Sequence, residues 1–312
     1  EQIIFSMKAD MRNKKFASNV HRENNFNILK TAGIYGPNNA GKTCFIKCIK
    51  AIRQILLDKK PGLMPNIFTD SDICELGVTF LAFGRKFSYD FKYDTAEKEF
   101  IYESFSEILK DQYGNEKEIF WLVKDSVQEQ YSCADEDAVQ MMPLMAKNNL
   151  LCYLIDTSKF EHLEEMKKII VDFAGKIDII NMNNIRMEHT IKLMKNKNQL
   201  QQKVVDFIKN ADLYMDNFEY ADMDQIKVKA EDESEKPDEK VLELPETIMD
   251  QIRLVSTYKG VHVPSMLFDS TGTKKIAALA GYGVGGLDQG RILVIDELDS
   301  SIHFKLTRAI VA

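Results

Sequence analysis

Eight consecutive residues constrain the fold of this chain more than any other feature. Gly36, Pro37, Asn38, Asn39, Ala40, Gly41, Lys42 and Thr43 fit the pattern G-x-x-x-x-G-K-[ST], and Cys44 follows them. Such a loop works between a strand and a helix. Its glycines let the backbone curl so that successive N–H groups face one anion. The helix start that follows adds partial positive charge. The flanks fit this context. Residues 28–35 (ILKTAGIY) read as an apolar strand. Residues 42–58 place Phe45, Ile46, Ile49, Ile52 and Leu56 at spacings of three and four, which predicts an amphipathic helix ending before Pro61-Gly62. Lys42 is then placed to reach the β- and γ-phosphates of a nucleotide, and the Thr43 hydroxyl to ligate Mg²⁺. Asn39 stands where glycine is commoner, and asparagine tolerates a left-handed backbone.

The rest of the composition suits an ordinary globular chain. Of 312 residues, 45% are hydrophobic and 29% charged, which leaves room for two domains or one domain with a large insertion. With 15 Gly, 7 Pro, 18 Phe and 11 Tyr, collagen-like and disordered classes are excluded. No run approaches the roughly 20 apolar residues that span a bilayer, and no secretory signal is visible after Glu1. Five cysteines with no C-x-x-C pair read as reduced thiols in a cytoplasmic protein. Cys44 and Cys48, four apart on one helix face, favour packing over zinc. A net charge of −7 argues against a chain coated in nucleic acid and leaves a local basic surface open.

Along the chain, residues 1–7 read as a strand, and the segment between it and 28–35 is polar. Residues 73–83, 86–93 and 99–109 alternate and are rich in Phe, Tyr, Val and Ile, with polar breaks at 83–85 and 94–95. This predicts an antiparallel meander, with a further strand at 117–123. Residues 158–174 and 185–210 read as helices. Residues 231–240 (EDESEKPDEK) read as a solvated linker. Ile252–Tyr258 then reads as a strand, 271–284 as a small-residue helix, and Arg291–Ile295 as a short buried strand. A last helix is expected from about His303.

That short strand runs into Asp296-Glu297. Acids at the carboxyl end of a buried strand lie where open α/β sheets bind ligands. Asp296 would hold Mg²⁺, through water, and Glu297 would orient and polarise an attacking water, making Lys42 and Glu297 the expected catalytic pair. Almost the whole chain separates Lys42 from Asp296, unlike small GTPases, and their N-K-x-D motif is absent.

A long insert between two such halves is the plan of ABC-type ATPases. Ser270-Thr271-Gly272-Thr273, upstream of Asp296, resembles their signature. Asp296-Glu297-Leu298-Asp299-Ser300-Ser301-Ile302-His303 resembles a Walker B motif running into a D-loop. Together with G-P-N-N-A-G-K-T, these residues resemble the bacterial ABC-type AAA ATPases of the RloA/AbiLi kind (AAA family 15), related to SMC, RecF and OLD-type heads. The motifs cover a small part of the chain but both ends of the fold. The resemblance implies an α/β fold: a head with a parallel core sheet plus an antiparallel meander, carrying a mostly helical insertion. The head's first part is expected over 1–110, the insertion over 111–250 and the closing part over 251–312.

The resemblance also implies an ATP- and Mg²⁺-dependent ATPase. It would act as a nucleotide-driven switch in anti-phage defence of the abortive-infection type, controlling a nuclease or toxin partner. The signature residues Ser270, Thr271, Gly272 and Thr273 would act in trans, on the nucleotide held by a second copy in a head-to-head dimer or larger homo-oligomer. Asp299, Ser300, Ser301 and His303 would form the D-loop. The switch histidine and last sheet strands of that family are not in the sequence, which ends at Ile310-Val311-Ala312 within an expected helix. The polypeptide is therefore expected to continue. No Gln stands out as a Q-loop residue: Gln54 falls in the expected first helix and Gln112 in an expected turn.

Two alternatives stay open. One is a DNA-maintenance ATPase of the RecF or SMC kind, with Arg186, Lys192, Lys195, Lys197, Lys203 and Lys209 facing phosphates rather than solvent. The other is the ATPase head of an OLD-type nuclease, for which Asp222-Met-Asp224 is a poorly placed acidic pair. A membrane-transporter subunit fits worst, because its usual L-S-G-G-Q signature is lacking.

Overall fold

The computed structural model describes residues 4–10, 12, 17–23, 26–66, 70–111, 114–196, 199–211, 214–221, 245–300, 302 and 307. The expected linker at 231–240, Asp222, Asp224, Gln112, Lys197, Ser301, His303 and the final helix lie outside the described residues. The fold is mixed α/β and divides into two compact units, Glu1–Ile177 and Asp178–Ala312. The division falls inside the segment 111–250.

The first unit opens with a hairpin, β1 (Val20–Glu23) against β2 (Phe26–Leu29), followed by helix α1 (Lys42–Leu56). The meander comes next: β3 (Ile73–Ala82), β4 (Arg85–Asp94), β5 (Glu99–Lys110), β6 (Glu116–Asp125) and β7 (Gln130–Cys133). These form a five-stranded sheet, antiparallel throughout and in sequence order. Alternation puts Phe87, Tyr89, Phe91 and Tyr93 of β4 on one face, all buried. Their rings mesh with Phe105 and Trp121, with centroids 5.4 Å apart for Phe87–Phe105 and 5.7 Å for Phe105–Trp121. Two short helices, α2 (Glu136–Val139) and α3 (Leu151–Leu154), lead to α4 (Glu161–Gly175). Helix α4 packs against α1 and β3, with Phe173 stacked on Phe80 at 4.0 Å. The last turn of α1 is tied down by the Tyr153 hydroxyl, which donates to the Leu56 carbonyl at 2.6 Å.

The second unit contains β8 (Ile177–Asn181, its first residue closing the first unit), α5 (Glu188–Lys195), α6 (Leu200–Ala211), β9 (Asn217–Tyr220), α7 (Glu246–Ile252), β10 (Leu254–Tyr258), β11 (Val261–Pro264), α8 (Ser265–Phe268), α9 (Thr271–Asp288) and β12 (Ile292–Asp296). Strand β10 pairs antiparallel with both β9 and β11, and β12 pairs with β8. Helix α9 is the hub. Ile276, Ala277, Ala278, Leu279 and Ala280 are all buried, so this stretch of α9 is covered all round, and α5 and α6 pack on the helix. Its small residues let α5 come close: the Thr190 hydroxyl donates to the Ala277 carbonyl at 2.6 Å and accepts from Gly281 N at 3.1 Å.

Four expectations need correction. Strand β12, expected to be buried, has no buried residue and exposes Ile292. The strand at 28–35 is only Phe26–Leu29. Asn19 exchanges two hydrogen bonds with the Thr31 backbone at 2.8 and 2.9 Å, ending the hairpin, and 31–35 join no ladder among the described residues. Ile34 and Tyr35 stay exposed. An apolar run becomes a strand only where a partner strand takes its backbone groups. At the start of the chain, residues 4–7 are not a strand either; the pairing is a single bridge between Lys8 and Ile28. The helix expected over 185–210 is two helices, α5 and α6, which separately present Ile191 and Met194, and Val204, Val205 and Ile208, to one core.

Candidate functional site

The expected phosphate loop, residues 36–43, lies in the first unit, and its shape follows from its sequence. Asn38 and Asn39 form a turn, and Asn39 takes the left-handed conformation at φ 66°. Ala40 N donates to the Pro37 carbonyl at 3.3 Å. Gly41 caps α1 at φ 85°, which a side chain would strain. Gly36 makes room for the loop to close, because a Cβ there would sit 3.2 Å from that of Ala40. The first helical hydrogen bond runs from Phe45 N to the Gly41 carbonyl at 3.0 Å, so the N–H groups before it have no intrahelical acceptor. Residues 36–41, Thr43 and Cys44 are exposed. The Lys42 ammonium folds back over the loop and donates to the carbonyls of Gly36 at 2.7 Å and Pro37 at 2.8 Å. A cation, exposed amides and a hydroxyl thus meet at one helix start, a combination suited to a polyphosphate.

The acidic strand end lies in the second unit. Strand β12 is fastened to β8 by Arg291, which makes a two-pronged ion pair with Asp178 at 2.5 and 2.6 Å. Met182 N donates to the Asp296 carbonyl at 3.1 Å. Asp296 is half-buried and Glu297 is exposed. Glu297 is left-handed at φ 55°, an uncommon state for a side chain of its size, and Ser300 N closes a turn onto its carbonyl at 2.9 Å. This turn carries Asp299, which is exposed, and Ser300. The Asn183 amide nitrogen donates to Glu297 Oε2. Asn183 Oδ1 accepts from Ser300 Oγ at 2.6 Å, and Lys275 Nζ bonds Ser300 Oγ at 3.2 Å. The structure therefore gathers Glu297, Ser300 and Lys275 around Asn183. Local sequence gives Asn183 no role, and Lys275 only a place at the end of the signature-like stretch. The available signals were the polar run N-M-N-N after an apolar strand, and the second lysine after S-T-G-T.

The signature-like segment begins α9. Ser270 is its N-cap: Oγ accepts from Thr273 N at 3.1 Å and lies 3.0 Å from Thr273 Oγ1. Ser270 and Thr271 are exposed, Gly272 is half-buried and Thr273 is buried. The preceding Asp269 is buried and fixed by three hydroxyls, from Ser256 and Ser265 at 2.6 Å and Tyr258 at 2.9 Å. Those bonds satisfy a carboxylate that burial would otherwise make costly, and they anchor the turn that presents Ser270.

Among the described residues, no group of three or more His, Cys, Asp or Glu could by itself hold a metal. Mg²⁺ carried by a nucleotide needs only one or two protein oxygens, and the Thr43 hydroxyl and Asp296 carboxylate are hard-oxygen donors of that class. Of the basic residues at 186–209, Lys195 is engaged by Glu246 at 2.9 Å and Asp250 at 3.2 Å, and Arg186 lies 3.5 Å from Glu188. All five cysteines are free thiols, with Cys133 and Cys152 buried. Among the described residues no helix is long and apolar enough to cross a membrane. Compared with known protein families and with curated proteins, the chain matches no family model and no curated relative.

Proposed function

We propose that the chain binds and hydrolyses ATP as an ABC-type head and works as a nucleotide-driven switch. The observation that carries this reading is the Lys42 ammonium held on the Gly36 and Pro37 carbonyls at the first turn of α1, in a loop where Asn39 and Gly41 are left-handed, and it carries the reading without the preceding strand that the motif usually has. Lys42 and the loop amides would bind the β- and γ-phosphates. Mg²⁺, when bound, would neutralise charge between those phosphates, with Thr43 and Asp296 as its protein oxygens. Glu297 would accept the proton of the attacking water. Ser270 and the α9 start would add donors to the nucleotide of a second copy. The antiparallel meander following α1 supports the ABC-type reading, as does the signature-like N-cap opening α9. A role in anti-phage defence, with a nuclease or toxin as effector, rests on the motif resemblance. The basic segment gives less support to a DNA clamp, since Lys195 is already matched by two carboxylates.

The test is ATP turnover by the full chain and two variants. Lys42→Ala should lose about hundredfold or more in kcat, because a cation facing the developing charge is removed. Glu297→Gln should still bind ATP and lose about 10²–10⁴ in kcat, since an amide cannot take the proton. Parent-like turnover in a folded Lys42→Ala protein would remove the phosphate loop from the chemistry.

A further inference from the structure

We infer that Asn183 is a positioning residue for Glu297, holding the carboxylate through one oxygen so that the other is left to face water. This rests on the proposed role of Glu297. Sequence gives Asn183 no such part, and the contacts assign it. The amide nitrogen of Asn183 donates to Glu297 Oε2. The opposite end of the same amide faces donors. Ser300 Oγ lies 2.6 Å and Lys275 Nζ 3.4 Å from Oδ1. An ammonium has no acceptor atom, so the Asn183 atom turned toward Lys275 is the oxygen. The nitrogen must then point at Glu297, and its orientation is fixed by chemistry.

The contacts form a chain. Lys275 Nζ also bonds the Ser300 carbonyl at 3.3 Å and Ser300 Oγ at 3.2 Å. The Ser300 hydroxyl donates a hydrogen bond to Asn183 Oδ1, and the Asn183 amide nitrogen donates one to Glu297. Lysine on α9 and serine in the expected D-loop thereby connect to the Glu297 carboxylate through the asparagine after β8. Glu297 needs such support. Its left-handed backbone is uncommon and its side chain is exposed, so unaided it would sample many rotamers. A base held in one geometry gains the advantage of orientation. Because Lys275 belongs to α9, a shift at the α9 start would reach Glu297 through two hydrogen bonds.

The experiment compares the parent chain, Asn183→Leu, Asn183→Asp and Glu297→Gln in steady-state ATP hydrolysis, with nucleotide binding and thermal unfolding measured alongside. Leucine keeps the approximate shape and loses the donor. Aspartate keeps the shape closely but sets a carboxylate against Glu297. We expect kcat to fall about tenfold or more in Asn183→Leu and further in Asn183→Asp, with KM for ATP within about twofold of the parent. A purely structural role for Asn183 would reverse that order, since the near-isosteric aspartate would be the milder change, and would lower the unfolding midpoint as well. If either variant fails to fold, the kcat and KM of the other decide. Parent-like kcat in the folded Asn183 variants, with Glu297→Gln inactive, overturns this inference alone. Parent-like kcat in Glu297→Gln overturns the reading beneath it.

Discussion

Glu103 and Lys124 are the two charged side chains that the meander buries almost completely, at 0% and 1% exposure. Glu103 is well served: the Tyr89 hydroxyl donates to it at 2.5 Å and Leu151 N at 2.9 Å. Lys124 Nζ finds no hydrogen-bond partner among the described residues. Burial raises the Glu103 pKa, with Tyr89, Lys124 and the Leu151 amide opposing it, and burial lowers that of Lys124. The sign for stability follows. The folded state binds the Glu103 proton more tightly than the unfolded chain does. Its stabilising share is therefore full below about pH 4.3 and is lost as pH rises through the folded value. Glu103→Gln keeps a donor and an acceptor for the two partners and removes this titration. The difference in unfolding midpoint, parent minus variant, should thus be greatest near pH 4 and shrink toward pH 8. A difference that stays constant over that range would count against a perturbed Glu103.

Among elements, α9 shows how small residues set a packing distance. A Cβ built on Gly281 would come within 2.4 Å of Thr190 N and 2.7 Å of its Cα, so backbone rather than a movable side chain stands in the way. Gly281→Ala should destabilise the second unit by about 1–3 kcal/mol, read as a lower denaturation midpoint, whereas Gly283→Ala, with open space at its Cβ, should not. Elements whose identity depends on local pattern were legible in the sequence. F-S-Y-D-F-K-Y alternates because one face of β4 is buried, and the spacing in 42–58 matches α1, although burial concentrates at Ala51, Ile55 and Leu56. Elements that depend on a remote partner were not. ILKTAGIY is as apolar as a strand should be, yet Thr31 is taken by Asn19 and no ladder follows. At the candidate site, the Lys42 loop and the Asp296-Glu297 strand end could be read from local motifs. Asn183 could not, since its meaning comes from Glu297, Ser300 and Lys275, which only tertiary structure brings to it.

At the scale of the whole molecule, the loop at residues 36–43 belongs to one compact unit and the acids and signature-like segment to the other. Under the proposed function, the signature-like segment serves a second copy. A phosphate loop on its own holds a triphosphate but leaves part of it to solvent, and donors brought by a second copy would exclude water and meet the developing charge. Complementation tests this division of labour. Lys42→Ala removes the loop's cation and leaves Ser270 intact. Ser270→Asp does the reverse: aspartate still caps α9, so the helix start is kept, while a carboxylate replaces the hydroxyl expected to face a γ-phosphate. Each variant alone should hydrolyse ATP poorly. Mixed at equal concentration, they should regain part of the parent rate, because a mixed dimer has one site with both an intact loop and an intact Ser270. The recovery should rise and saturate as Ser270→Asp protein is titrated into a fixed amount of Lys42→Ala protein. A mixture as inactive as its parts, in which light scattering and subunit exchange show that heterodimers form, would mean that the site is not shared between copies. Parent-like turnover by Ser270→Asp alone would mean that Ser270 does nothing beyond capping its helix.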